Sequence, residues 1–450
     1  MEMRYGNLWK QIMTFSIPLM LTHLLEMFFN TADVAIVGKF SGPISLGAVG
    51  STSTLLYMIT CFPIGLAGGI NAVTALFIGA DEKEKEHACI HTAFLISLVA
   101  GFLVLAIGQA ATRPVLAALN TKPELIDEAV LYMRIYLAGT PALALFNFGN
   151  AIFSAVGETK KPLKYLSISG IINVLLNLVF VIVLHMAAAG VGLASAISQY
   201  LSAILVIGAL LREKGNHALR LRELHFDKKM AGRILAVGLP GAFQHCLFSF
   251  ANLFVQRSVN SFSHIIVEGN AAAGNGDNIM YTLMTGFYTA CSSFIAQNLG
   301  ARKRSRVIKT YVITCCYAIL FGASFIIGAN IFRESFLSIF TSDPEVFVAG
   351  YPRLMVLGLS GFLSVFMDNG SAAARGLNKP LMPTIFTFLG TVVFRLAWIF
   401  LVFEKVHTLN SLYIIYPISW IITSIPINIY LYLRFRQIPE ETLEAAPNSI

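Results

Sequence analysis

The sequence predicts an all-α integral membrane protein whose twelve transmembrane helices form two pseudo-symmetric six-helix lobes. Composition is the first reason. Of 450 residues 56% are hydrophobic and 12% charged, with a mean hydropathy of +0.71, whereas soluble domains are typically about 25% charged. Spacing is the second, because the apolar runs match the roughly 20 residues that a bilayer-crossing helix needs and leave no long hydrophilic stretch. The third is that the two halves of the chain resemble each other landmark by landmark.

Apolar runs fall near residues 14–37, 46–70, 88–109, 129–155, 164–186 and 188–211. A polar interval from Arg212 to Arg233 follows, with Lys214, Arg220, Arg222, Lys228 and Lys229 inside it. Apolar runs resume near 234–260, 270–299, 306–331, 347–374, 381–403 and 410–433. The expected organisation is a first lobe over 1–211, a linker over 212–233 and a second lobe over 234–450 with a short tail. Met1 to Lys10 leads straight into an apolar run containing Pro18, without a small-residue cleavage site, so the first helix is expected to stay in the mature protein.

The net charge of +8 lies in alternate connections. Lys83/Lys85, Lys160/Lys161/Lys164, the linker, Arg302/Lys303/Arg304/Arg306/Lys309, Arg375/Lys379 and Arg434/Arg436 form the basic set, and the opposite set is nearly bare. The positive-inside rule then places both termini and the linker in the cytoplasm. These charges lack aromatic interleaving, which argues against a nucleic-acid surface. The six cysteines (Cys61, Cys89, Cys246, Cys291, Cys315, Cys316) show no metal spacing and read as packing residues, with no disulfide framework implied.

The repeat is ordered. Ile17-Pro18 recurs as Leu239-Pro240, and the same offset (240 − 18 = 222) carries Asn30 to Asn252 and Phe40 to Phe262. Gly79-Ala80 parallels Gly300-Ala301, Pro123-Glu124 parallels Pro344-Glu345, and Lys161-Pro162 parallels Lys379-Pro380. An even number of spans per half keeps the two units in the same orientation, the parallel-repeat plan that transporters use as rocking lobes.

Polar residues inside the spans mark the candidate chemistry. Glu26, Asn30 and Asp33 share one face of the first helix. Carboxylates there are expensive, on the order of 2.5–3.5 kcal/mol each even on the lenient insertion scale. Asn173 and Asn177 stack on the fifth helix, and Ser195, Ser198, Gln199 and Ser202 line the sixth, where ordinary interhelical packing is the competing reading for the serines. A buried Asp33 among amide and hydroxyl oxygens suits either Na⁺ or a proton. Were Glu26 to share its pocket, the two carboxyls would hold one proton between them; otherwise Glu26 faces a vestibule.

The seventh helix carries Gln244, His245, Ser249, Asn252 and Gln256, with Arg257 beside them, and the tenth carries Ser360, Ser364, Asp368 and Ser371. These read as walls of a central cavity, or, for Asp368, as half of a structural ion pair with Arg257 or Arg395. His245 is expected to be a hydrogen-bonded helix residue. Pro63, Gly65, Gly68, Gly69 and Pro141 suggest bends or close helix contacts. Met27, Phe28, Tyr57, Met58, Phe146, Phe153, Tyr281, Met284, Phe287 and Tyr288 supply soft and aromatic surface for apolar cations, or pack the core. No GxSxG, HExxH or Walker loop occurs and no cofactor is implied, so the chain is not expected to be an enzyme and any coupling must come from an ion gradient, H⁺ or Na⁺.

Taken together, Ile17-Pro18, Asn30-Thr31-Ala32-Asp33 before Gly38, Gln297-Asn298-Leu299-Gly300-Ala301, Arg375-Gly376 and Arg395 resemble the multidrug and toxic compound extrusion (MATE) transporters over nearly the whole chain. The resemblance implies an antiporter exporting cationic or amphipathic small molecules by alternating access; the expected location is the inner membrane of a prokaryote, and oligomeric state is left open with a monomer as the default. It implies a first-lobe cation site at Asp33, Asn173 and Ser195, with Asn177 standing where the family carries a second acid. It also sets Phe248 where the NorM-like branch has a glutamate, which points toward the DinF-like branch. The alternative within the superfamily is a lipid-linked precursor flippase, for which Arg134, Arg257, Arg353 and Arg395 would have to meet pyrophosphate.

Overall fold

A computed structural model describes residues 2–119 and 121–439. Among the described residues there are helices and no strands. Ten helices are long and apolar enough to cross a membrane, and two further spans are bent pairs. In chain order they are α1 (Leu8–Phe40), α2 (Gly42–Gly79), α3 (Lys83–Ala118), the bent α4 (Pro123–Leu137 with Thr140–Val156), α5 (Lys160–Val183) and α6 (Ala187–Arg212). After the linker come α7 (Lys228–Val259), α8 (His264–Gly300), α9 (Arg304–Ile331), the bent α10 (Pro344–Ser360 with Phe362–Gly376), α11 (Leu381–Val406) and α12 (Leu409–Arg436).

The two bends, 44° in α4 and 55° in α10, fall at repeat-equivalent spans and have local causes. In α4, Pro141 has no N–H to give the carbonyl of Leu137, and the Thr140 hydroxyl donates to that carbonyl instead (2.8 Å). In α10 the break lies at Ser360-Gly361, a pair that bends helices without a proline. Pro63, by contrast, sits inside the uninterrupted α2 and breaks nothing. A π turn ends α5 at Val179–Val183, and two interrupt α11 at Phe388–Val393 and Ile399–Phe403.

Each lobe has its own buried cluster, and each borrows from the other. The cluster of α8, α9, α10 and α12 also takes in Leu8, Ile12 and Phe15 from α1. The cluster of α2, α3, α4 and α6 takes in Met230, Ile234 and Val237 from α7, the residues one repeat later. The lead-in half of each lobe's first helix is therefore buried against the opposite lobe. Phe15 meets Phe294 edge to face at 5.4 Å.

Within a bilayer such packing depends on close fit rather than on escape from water, so small residues line it. Along α2 and α7, which run antiparallel, a Cβ on Gly69 would come within 2.4 Å of the Cα of Gly238, and one on Gly65 within 2.3 Å of the Cα of Ala242. The next pair in this register is Cys61 with Cys246, whose sulfurs lie 2.7 Å apart. One turn further, Tyr57 and Phe250 are 52% and 42% exposed. The seam is thus closed toward the end bearing the basic connections and parts toward the other end, leaving a gap between the lobes. At the closed end the repeats meet themselves: the Ser293 hydroxyl donates to Asn71 Oδ1 (2.9 Å) across 222 residues, and Gly79 and Gly300 pack against each other's helix ends.

Candidate cation-binding site

Asp33 lies seven residues from the end of α1, where the helix packs against α5 and α6 rather than against lipid, and it is 8% exposed. Its two oxygens are held by different helices. Asn177 Nδ2 donates to Oδ1 (2.5 Å) from α5, and the Ser195 hydroxyl donates to Oδ2 (3.1 Å) from α6. Asn177 also donates to Asn173 Oδ1 (3.2 Å), the other amide of the i, i+4 pair. The four residues Asp33, Asn173, Asn177 and Ser195 form one hydrogen-bonded unit spanning three helices.

The donors are neutral, and among the described residues no Lys, Arg or His comes within ion-pair distance of Asp33. Asn177 Oδ1 and the nearby Ser198 Oγ are buried without a hydrogen-bonding partner. A carboxylate with unused amide and hydroxyl oxygens around it is chemistry for a small hard cation or a proton. Clusters of three or more His, Cys, Asp and Glu suited to a transition metal do not occur among the described residues.

Glu26 and Asn30 do not join the unit. Glu26 Oε2 lies 3.2 Å from His23 Nδ1 one turn earlier, half-exposed, and Asn30 is exposed. His23 was not singled out in the sequence, although its i, i+3 spacing to Glu26 is the signal that finds the pair. Ser202 turns away as well and meets Ser169 of α5.

The second lobe is built otherwise. Gln244 is buried and donates to Ser371 (3.2 Å), tying α7 to α10. Asp368 is buried with Arg375 and Arg395 as its charged neighbours. The expected ion pair is not formed: among the described residues neither guanidinium reaches salt-bridge distance, and Arg257 is exposed. Arg395 instead donates to Ser419 and to Asn252 (3.1 Å each) and stacks over Tyr416 at 4.6 Å. The His245 ring, expected to be hydrogen-bonded, meets no such partner among the described residues and lies near Arg375. Ser249 donates to the carbonyl of His245, and Gln256 to Asn260 near the end of α7.

Tyr281 is part-exposed, as a cavity residue would be, but Met284 is 1% exposed and accepts from the Tyr288 hydroxyl inside the second-lobe core. Its expected place in the cavity is corrected by the close approach of α8 and α9 at Gly322. Phe146, Phe153, Phe287 and Tyr288 are likewise core, whereas Phe28 and Tyr57 are exposed. The arginines needed for a pyrophosphate site do not converge. Arg353 is paired with Asp277 (2.7 Å) and Asn270, and Arg134 is exposed.

A family model described as MatE matches residues 18–179 and again 240–401, two segments offset by the repeat itself. A probable multidrug resistance protein, YoeA of Bacillus subtilis, is 24% identical over 441 residues, covering 95% of this chain and 94% of its own. A probable multidrug resistance protein of Thermotoga maritima named NorM is 22% identical over 399 residues, covering 86% and 84%. Among solved structures, the outward-facing conformation of a multidrug resistance MATE family transporter of the MOP superfamily superposes with a TM-score of 0.90 at 22% identity, covering 98% of both chains. That likeness establishes the fold.

Proposed function

The chain belongs to the MatE family, and on that premise we propose that it is a cation-coupled multidrug antiporter, driven by H⁺ or Na⁺, that exports cationic or amphipathic small molecules by alternating access. The relatives named as multidrug resistance proteins support the substrate class. In this reading the chain sits in the inner membrane of a prokaryote with its basic connections inside, so the gap between the lobes faces outward. Phe248 in place of an acid sets it nearer the DinF-like than the NorM-like branch.

The observation that carries the reading is the buried Asp33 held by neutral donors from two other helices. Loading that carboxyl with a proton or Na⁺ from outside removes its demand for the Asn177 and Ser195 hydrogen bonds and lets α1 reposition against α5 and α6. The substrate is released on that side. Closure of the gap and opening of the α2–α7 seam then return the site to the inside, where the cation leaves. Coupling requires only that cation and substrate prefer different arrangements of the lobes.

The test is export of a cationic dye from proteoliposomes with imposed ΔpH and ΔpNa applied separately. The unaltered protein is expected to respond to one gradient, and Asp33→Asn to neither. An Asp33→Asn protein that still concentrates dye in response to the gradient overturns the assignment.

A further inference from the structure

The α2–α7 seam ends on two cysteines 185 residues apart in sequence and on opposite lobes. Among the described residues they are the one pair of thiols within hydrogen-bond reach of each other. Cys61 Sγ donates to the Met58 carbonyl (3.0 Å), and Cys246 Sγ points at the same carbonyl from 3.8 Å. Both sulfurs are thereby aimed at one point between the helices. The two sulfurs are in direct contact across the seam, so the thiols face each other where a bond between the lobes can form. The other cysteines have different surroundings: Cys89 faces Thr74, Cys291 and Cys315 face Asn369, and Cys316 is exposed.

Access comes from the gap. Cys61 is buried but Cys246 is half-buried, one turn below the exposed Tyr57 and Phe250. We propose that Cys61 and Cys246 form a redox modification site, in which oxidation joins the two lobes covalently at the floor of the gap and holds the α2–α7 seam shut. Each thiol gives up one proton and the pair gives up two electrons as the S–S bond forms. A diazenedicarboxamide oxidant accepts both, its N=N double bond becoming a hydrazine. A dithiol reverses the reaction by exchange, taking the disulfide into its own ring. Because a disulfide keeps its Cα atoms within about 6.8 Å, helices bonded here cannot separate at Gly65 and Gly69, one and two turns away.

The cross-link is independent of what is transported, whereas its effect on export rests on the alternating-access reading given above. The full-length protein in proteoliposomes is treated with diamide, digested without reduction and mapped by mass spectrometry, and dye export is followed in parallel. The expected result is a linked peptide pair containing Cys61 and Cys246, at least a tenfold loss of export, and recovery of both with dithiothreitol. Cys61→Ser and Cys246→Ala should each retain export in diamide, so misfolding of one leaves the other as control. Absence of the linked pair from the oxidised protein overturns the site. A linked pair formed in full with export unchanged overturns the claim that it holds the seam shut, and with it the opening of that seam during transport.

Discussion

The two lobes use corresponding positions for opposite charge. Asp33 lies fifteen residues after Pro18 (33 − 18 = 15), and the residue fifteen after Pro240 is Val255 (255 − 240 = 15). Asn177 lies fifteen after Pro162 (177 − 162 = 15), and fifteen after Pro380 comes Arg395 (395 − 380 = 15). The first lobe thus sets an acid against an amide, and the second sets valine and a guanidinium in the matching places. The amides answer each other too, since Asn252, the counterpart of Asn30, is the acceptor for Arg395. A duplicated scaffold has kept its helices, bends and seam while the charge at one internal locus reversed. Among the described residues the buried Asp33 of the first lobe has no cationic partner, whereas the buried Asp368 of the second has Arg375 and Arg395 as neighbours, which is why we propose the cation site in the first lobe.

The comparison can be broken by importing one lobe's chemistry into the other. Asn177→Arg places a guanidinium beside Asp33, and an internal ion pair should displace the cation. Gradient-driven dye export is expected to fall by about tenfold or more, since hydrogen-bonded charge pairs are worth roughly 1.5–3 kcal/mol and 1.4 kcal/mol is tenfold. Export at the unaltered rate would mean that Asp33 is not where the cation sits.

The reverse substitution, Arg395→Met, removes a charge that bonds Ser419 and Asn252 without touching the first-lobe site. Its effect should appear as lost stability of about 1–3 kcal/mol from the acceptors left unpaired, read as a lower Tm in detergent, with ion selectivity intact. A change in coupling ion would show that the second lobe shares the coupling.

Ser195→Ala deletes one of the two donors to Asp33 while leaving its charge. Hydrogen bonds between membrane helices average roughly 0.6 kcal/mol, so the apparent cation affinity should move by about threefold, in either direction according to whether the ion or the hydroxyl was the better partner. An affinity that stays put would place the ion away from Oδ2. The smallest effect is expected from Glu26→Gln. With Glu26 paired to His23 outside the hydrogen-bonded unit, coupling should stay within about twofold. A larger loss would enlarge the first-lobe site to two acids.

Much of this was legible in the chain because membranes impose long apolar runs and tolerate few polar residues within them. The i, i+4 spacing of Asn173 and Asn177 and the cost of Asp33 in a span single out three members of the hydrogen-bonded unit. Helix ends were less legible. α1 and α2 reach Phe40 and start again at Gly42, well beyond the apolar core of each run, because a helix continues through the interface where hydropathy no longer marks it. For Glu26 the sequence leaves two readings open, a shared pocket or a vestibule: Glu26 and Asp33 both sit in an apolar stretch, and only packing against α5 and α6 decides which one is enclosed. The exchange of first-helix ends between lobes, the burial of Met284 and the meeting of Cys61 with Cys246 depend on contacts far apart in sequence, for which no local period exists.

The closed seam has a consequence for ancestry. Where Asn71 bonds Ser293 and Gly79 packs by Gly300, a surface is meeting its own copy, which is the isologous arrangement of a two-fold homodimer. Leu8, Ile12 and Phe15 entering one lobe while Met230, Ile234 and Val237 enter the other adds the reciprocal arm exchange of a swapped dimer. A six-helix precursor pairing through this face would have been bound to change both sides of it with every substitution. Within one chain the two sides of that face are encoded separately, so an asparagine can face a serine, and an acid on one side does not require an acid on the other.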